Sequence, residues 1–313
     1  MQSVSDSTGI VKRAASCYNE PVNLKGKTMK TKVEKMPKST IKLTVTIESA
    51  KVKEAYDEVL EDTVENIELD GFRKGKAPKD MVEQKIGVSK LYGEVVNYLL
   101  QKYYPQALKE NTILAIANPK VEIKEFDLEK DFEFVATIAI KPEVKVGDFR
   151  KLLRNSYKDK VEKNDKGEHD HVHMGSNEII DAIMKETKVE VSDMLIDDEA
   201  NRMMSRLVDQ AQTIGLSLEQ YLKSQNKTSD QLRGEYNKIA ERNLVAELGL
   251  LKIIEDEKVE VSDEEIDQMI QAAGDPKIAD RMKSFSERMY IKSILQKNKL
   301  ISQLAEEIEN DKK

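Results

Sequence analysis

The spacing of apolar residues changes along this chain, and that change constrains the fold more than any other feature. Ile41, Leu43, Val45 and Ile47 alternate with Lys42, Thr44, Thr46 and Glu48. A period of two predicts a half-buried strand. Val52, Ala55, Tyr56, Val59, Leu60 and Val64 then recur at helical spacing, predicting a helix over 52–68. A short helix is expected over 79–85, ended by Gly87, and a longer one through Leu91, Val95, Leu99, Tyr103 and Leu108, with Ser89 as its cap. The period of two returns at Val121 and Ile123 and again through Phe132, Phe134, Ala136, Ile138 and Ile140. Pro142 ends that last strand or places it at an edge. Strand, helices, strand, strand is the order of a small α+β domain with helices on one face of a mainly antiparallel sheet, here spanning 29–146.

Residues 147–175 read as a polar linker, because NSYKDKVEKNDKGEHDHVHMGS shows no apolar periodicity. From 176 to 313 the chain reads as nearly all helix. The expected fold class is therefore α+β, an N-terminal α+β domain joined by the linker to an all-helical C-terminal domain. Leu195, Ala200, Met203, Leu207, Ala211 and Ile214 mark one apolar face. Thr228 with Gln231, and Ser262 with Glu265, are spaced as capping boxes. The hexapeptide KVEVSD occurs at 188–193 and again at 258–263, each time between helical segments. It reads as a repeated unit of helix, extended link, N-cap and helix, with KLIS at 299–302 a weaker echo. A last helical stretch runs from Pro276 through Ile294, followed by a break and LISQLAEEI.

At 313 residues two domains are expected. Charged residues reach 35% and the net charge is −7, so contact with nucleic acid requires a local basic patch. No apolar run approaches the roughly 18 residues of a membrane span. Cys17 is the only cysteine, so no intrachain disulfide can form, which fits a reducing, cytoplasmic setting. Residues 1–28 carry no apolar core of a secretory signal and read as a disordered extension, or as a misplaced start with Met29 first. Asp6, Glu20 and the scarcity of arginine argue against an organellar transit peptide.

One stretch breaks the pattern. ELDGFRKGKAPKD, residues 68–80, sets Phe72 among Arg73, Lys74 and Lys76 in an acidic chain. A core wants the ring and excludes the charges. Gly71 and Gly75 permit unusual backbone angles, and Pro78 suits the start of a helix. Two readings stand on composition alone: a solvated basic turn with Phe72 folded back, or a docking tip whose ring a partner covers. A nucleotide-binding P-loop is excluded, because the spacing to a Gly-Lys-Ser/Thr is missing.

GFRKGKAP after a strand and helix, the IAIKPEV strand end, and the helical half with V-x-V-S links resemble the trigger factor family of ribosome-associated chaperones. The resemblance implies that the loop docks on the large ribosomal subunit, on protein and RNA near the exit tunnel. Phe72, Arg73 and Lys74 are then the contacts, and Gly71, Gly75, Lys76 and Pro78 shape the turn. It also implies helical arms forming a cradle for nascent polypeptides, without ATP or another cofactor, and allows a homodimer off the ribosome. Methionine suits an adaptable client surface; Met194, Met203, Leu207, Met269, Ile270 and Met289 are the candidates. Such proteins typically carry an isomerase domain between the two matched regions. A domain of that kind needs roughly 80–100 residues, so 147–175 cannot supply it and prolyl isomerase activity is expected to be absent.

The linker holds His169, His171 and His173 at alternate positions beside Glu168 and Asp170. That set suits a transition metal, but with no cysteine near it and no helix to preorganise it the favoured reading is a polar linker without metal. The alternative to ribosome docking is a ribosome-independent holdase or assembly chaperone of the same fold.

Overall fold

Alternation becomes a strand at the place where it is clearest. In the computed structural model Thr40–Ile47 forms β2, with Leu43, Val45 and Ile47 fully buried. The structure describes residues 29–69, 71–164, 173–272 and 284–310. The expectation for residues 1–28 falls outside them.

Before β2 lies β1, Met29–Met36, which the sequence reading had not anticipated. Its lysines and largely exposed side chains give no alternating signal, as befits an edge strand. β3 is Lys120–Ile123 and β4 is Phe132–Ala139, and the sheet order is β1-β2-β4-β3. β4 is therefore internal, and Pro142 follows its end rather than marking an edge.

The chain divides into two compact units, and the sheet contributes residues to both. The first holds 29–32, 44–110 and 122–135 among the described residues; the second holds 33–43, 111–121 and the described residues from 136 onward. In the first unit, α1 (Ser49–Asn66), α2 (Lys79–Ile86) and α3 (Val88–Glu110) pack against one another. Val52, Leu91, Val95 and Leu99 are fully buried. Asp131 Oδ1 accepts the Ser49 N–H at 3.0 Å, supplying the cap that Glu48 does not. Ser89 lies inside the first turn of α3 instead of capping it. Gly87, with φ 86°, ends α2 as expected.

In the second unit, β5 (Lys145–Val146) pairs antiparallel with β6 (Thr187–Lys188). The segment expected to be linker is helical over Phe149–Asn164, here α4. Phe149, Leu153 and Tyr157 recur every four residues and are buried, a stripe too narrow to register against the surrounding charge. α4 packs on α5 (Ser176–Glu186) and α10 (Phe285–Asn310), and α5 and α10 in turn on α8 (Ser229–Glu257). Their core includes Ile179, Ile183, Leu250, Leu300 and Leu304. Each such fully covered aliphatic side chain contributes about 1.5–3 kcal/mol. Gly249 sits where a methyl group would collide with Thr187 Oγ1 and meet Ile183 Cγ2 at 3.1 Å, so its missing side chain sets the approach of α5 to α8.

α6 (Asp193–Thr213) packs on α8 around Val191, Ile196, Ala200 and Ala240, with α7 (Leu218–Ser224) beyond it. α9 (Asp263–Ala272) packs on α10 around Val261, Ile266, Ile270 and Ile291. KLIS is not a third link: α10 runs unbroken through it, with Leu300 fully buried. The break expected after Ile294 is likewise absent, since Leu295 and Leu300 continue the buried stripe.

Candidate functional site

The turn between α1 and α2 is built from two successive four-residue turns. Phe72 N–H donates to Leu69 O at 3.0 Å, and Lys76 N–H donates to Arg73 O at 3.0 Å. The third residue of each is a glycine with positive φ, Gly71 at 87° and Gly75 at 78°. A third turn position with that angle admits glycine readily and most other residues only with strain. Phe72 and Arg73 sit at the junction of the two turns. Ala77 is then buried, and Pro78, in extended conformation, precedes the first residue of α2.

Phe72 is 39% exposed. Arg73, Lys74 and Lys76 are exposed, and none has an ion-pair partner among the described residues. Gly75 is half-buried near the Glu65 backbone, and Pro78 is exposed. All seven predicted turn residues therefore lie in one local structure, with the ring partly uncovered beside three cations.

The other predicted residues do not gather in the same way. Met194, Met203 and Leu207 are half-buried along α6, and Met203 packs on the α6–α8 core. Met269 and Met289 are 50% and 43% exposed. Ile270, at 4%, is taken into the α9–α10 core and presents no surface. Arg288 donates to Asp267 Oδ1 at 2.5 Å and to Asp263 Oδ1 at 3.2 Å, fastening α10 to α9 beside these methionines. Those two hydrogen bonds, Asp267 first, raise the guanidinium further above its ordinary range.

Two aromatics were missed. Phe285 is 80% exposed and Tyr290 64%. Phe285 lies four residues before Met289 on α10, so the two share a face. The available signal was aromatics among charged neighbours in a chain with only 5% aromatic residues. Ile214, placed by the sequence on the apolar face of α6, is 71% exposed at that helix's end.

Of the three histidines, His173 is described: it is exposed, with Nδ1 3.4 Å from Glu309 Oε2. His169 and His171 lie outside the described residues. Among the described residues no three His, Cys, Asp or Glu side chains are grouped to hold a metal ion, and no helix is long and apolar enough to cross a membrane.

An α+β unit presenting an uncovered basic turn, with a helical unit bearing methionine and aromatic side chains, defines the class of protein. Two family models match, the bacterial trigger factor protein over residues 29–169 and the bacterial trigger factor C-terminus over 151–313. The chain belongs to the trigger factor family. The matched intervals overlap over 151–169, leaving none between them, and most of α4 lies within that overlap. A trigger factor of Staphylococcus epidermidis is 42% identical over 110 residues, 35% of this chain and 25% of that protein. One from Staphylococcus aureus is 41% identical over the same extent. The chain thus aligns with about a quarter of the length of these relatives. A solved structure of the trigger factor chaperone, described under promiscuous substrate recognition in folding and assembly, superposes with a TM-score of 0.62. It covers 89% of this chain and 100% of the other at 14% identity, which establishes the fold alone.

Proposed function

We propose that the protein is a cofactor-independent chaperone that docks on the ribosome through residues 71–78 and holds emerging polypeptides on its helical unit. The observation that carries this reading is the half-uncovered Phe72 beside Arg73, Lys74 and Lys76, which are exposed and have no ion-pair partner among the described residues, on turns that glycine geometry fixes. The cations neutralise ribosomal RNA phosphates or pair with an acidic ribosomal side chain, and the partner covers the ring. The net charge of −7 makes this patch the place where an anionic particle can approach. Holding an unfolded chain makes and breaks no covalent bond, so an isomerase domain is not required. Phe285, Met289 and Tyr290 offer apolar surface for weak, sequence-tolerant contact, and tethering raises the local client concentration enough for weak contact to suffice.

Ribosome pelleting across a salt series tests the docking. Three phosphate contacts lower binding roughly twenty- to fortyfold between 50 and 200 mM salt. Phe72→Ala, Arg73→Ala and Lys74→Ala together should abolish most binding and flatten the salt dependence. Unchanged pelleting of that variant refutes the docking claim. The exposed side chains on α10 favour a second reading, a ribosome-independent holdase or assembly chaperone, because they do not depend on the turn. It predicts that the triple variant still suppresses aggregation of a denatured protein while wild type fails to pellet with ribosomes.

A further inference from the structure

α2 receives the chain as it leaves the basic turn, yet it has only eight residues and one fully buried side chain, Val82. A helix so short does not hold itself in place. Three bonds tie it to α1 and to the residues just after α1. Lys79 Nζ meets Glu61 Oε1 at 2.8 Å, and Lys85 Nζ donates to Glu68 O at 3.2 Å. Both are solvent-exposed and therefore weak. The third differs: the Tyr56 hydroxyl, from α1, donates to Glu83 Oε1 on α2 at 2.6 Å and is partly buried.

The Tyr56 ring is itself anchored. It meets Tyr92 edge-on at 6.2 Å, Tyr92 meets Phe126 at 5.1 Å, and Phe126 meets the fully buried Phe132 at 5.5 Å. Successive edge-on contacts of this kind fix ring orientation. Burial first, then the bond to Glu83, hold the phenol well above its ordinary value of 10, so it remains a donor.

We propose that Tyr56 and Glu83 are positioning residues for the docking turn: the aromatic row fixes the phenol, the phenol fixes α2, and α2 holds the Phe72–Lys76 tip in its binding shape before a partner arrives. This rests on the docking reading above. The pair touches no partner. Its effect is to reduce the freedom the turn must give up on docking, which raises affinity without adding a contact.

The test uses the full chain carrying Tyr56→Phe, Glu83→Ala or Glu83→Gln, with 70S ribosomes as the probe. Tyr56→Phe and Glu83→Ala should each weaken pelleting about three- to tenfold. The salt dependence should stay that of wild type, because the cations are untouched. The double variant should be no weaker than either single one. Glu83→Gln, which still accepts the phenol proton, should behave as wild type. Amide exchange at Phe72 and Lys76, followed without ribosomes, should accelerate in the first two variants and not in the third. Exchange at wild-type rate in Tyr56→Phe overturns the brace, and so does loss of affinity in proportion to loss of thermal stability alone. If the Phe72/Arg73/Lys74 triple variant loses binding while Tyr56→Phe keeps it, the brace fails and docking survives. If exchange accelerates but the triple variant binds normally, the docking reading fails and takes the positioning role with it.

Discussion

The hexapeptide KVEVSD folds twice in one unit, and the two copies reach the same local structure by different means. In both, valines on an extended link turn inward and the serine starts a helix. Val191 is 5% exposed, and Val259 and Val261 are 7%. In the first copy Ser192 is 1% exposed and its Oγ accepts the Met194 N–H at 3.3 Å. It also lies 3.0 Å from Thr40 Oγ1, whose own proton goes to Lys38 O at 2.9 Å. Ser192 must therefore donate to Thr40, which leaves its oxygen free to accept at the helix start. In the second copy Ser262 is exposed, and the cap is closed within one turn. Ser262 N–H donates to Glu265 Oε2 at 2.7 Å, and Glu265 N–H returns to Ser262 Oγ at 3.2 Å. The residue that decides is the one three places on: Leu195 in the first copy cannot reciprocate, and Glu265 in the second can. A cap without a local partner has been given a distant one.

Breaking each cap in turn measures that difference. Ser192→Ala should cost the most, about 2 kcal/mol or more, because it removes a helix cap and leaves the buried Thr40 oxygen without its donor. The shift is read from the midpoint of urea unfolding at constant slope. Ser262→Ala should cost about 1 kcal/mol, the value of a solvated cap alone. Equal losses for the two serines would mean that burial adds nothing to the first. The smallest effect is acidic. The backbone bond from Ser262, and then the bond from Lys299, hold the Glu265 carboxyl below its ordinary value of 4.5. A lowered carboxylate stabilises the fold above that value and loses its contribution as pH falls through the depressed one. The Ser262 amide resonance should thus titrate below pH 4.5, while the Met194 amide, whose acceptor is a hydroxyl, does not follow Glu265. A flat Ser262 profile would remove the carboxylate from the cap.

The comparison also separates the legible from the illegible. The capping boxes at Thr228 and Ser262, the strands β2 and β4, and the glycine turns were readable, because each depends on residues within a few positions of one another. β1 and α4 were not. Edge exposure erased the alternation of the first, and charge between Phe149, Leu153 and Tyr157 masked the stripe of the second. The seven turn residues were legible as a group, since their glycines and cations are contiguous. Their brace was not, because Tyr56 and Glu83 are 27 positions apart and neither is unusual for its helix.

Neighbouring residues show the limit most directly. Met269 is half exposed and Ile270 almost wholly covered, although both were equally plausible from hydropathy. The sequence by itself determined the capping boxes at Thr228 and Ser262, the end of α2 at Gly87, and the positive φ at Gly71 and Gly75. These follow from hydrogen bonds and steric limits within a turn or two of chain. Only the tertiary structure decided which apolar side chains are spent on the core, which remain for a partner, and that Ser192 finds Thr40 across 152 positions. Covering a side chain is a property of what packs over it, and a residue's neighbours in sequence do not specify that.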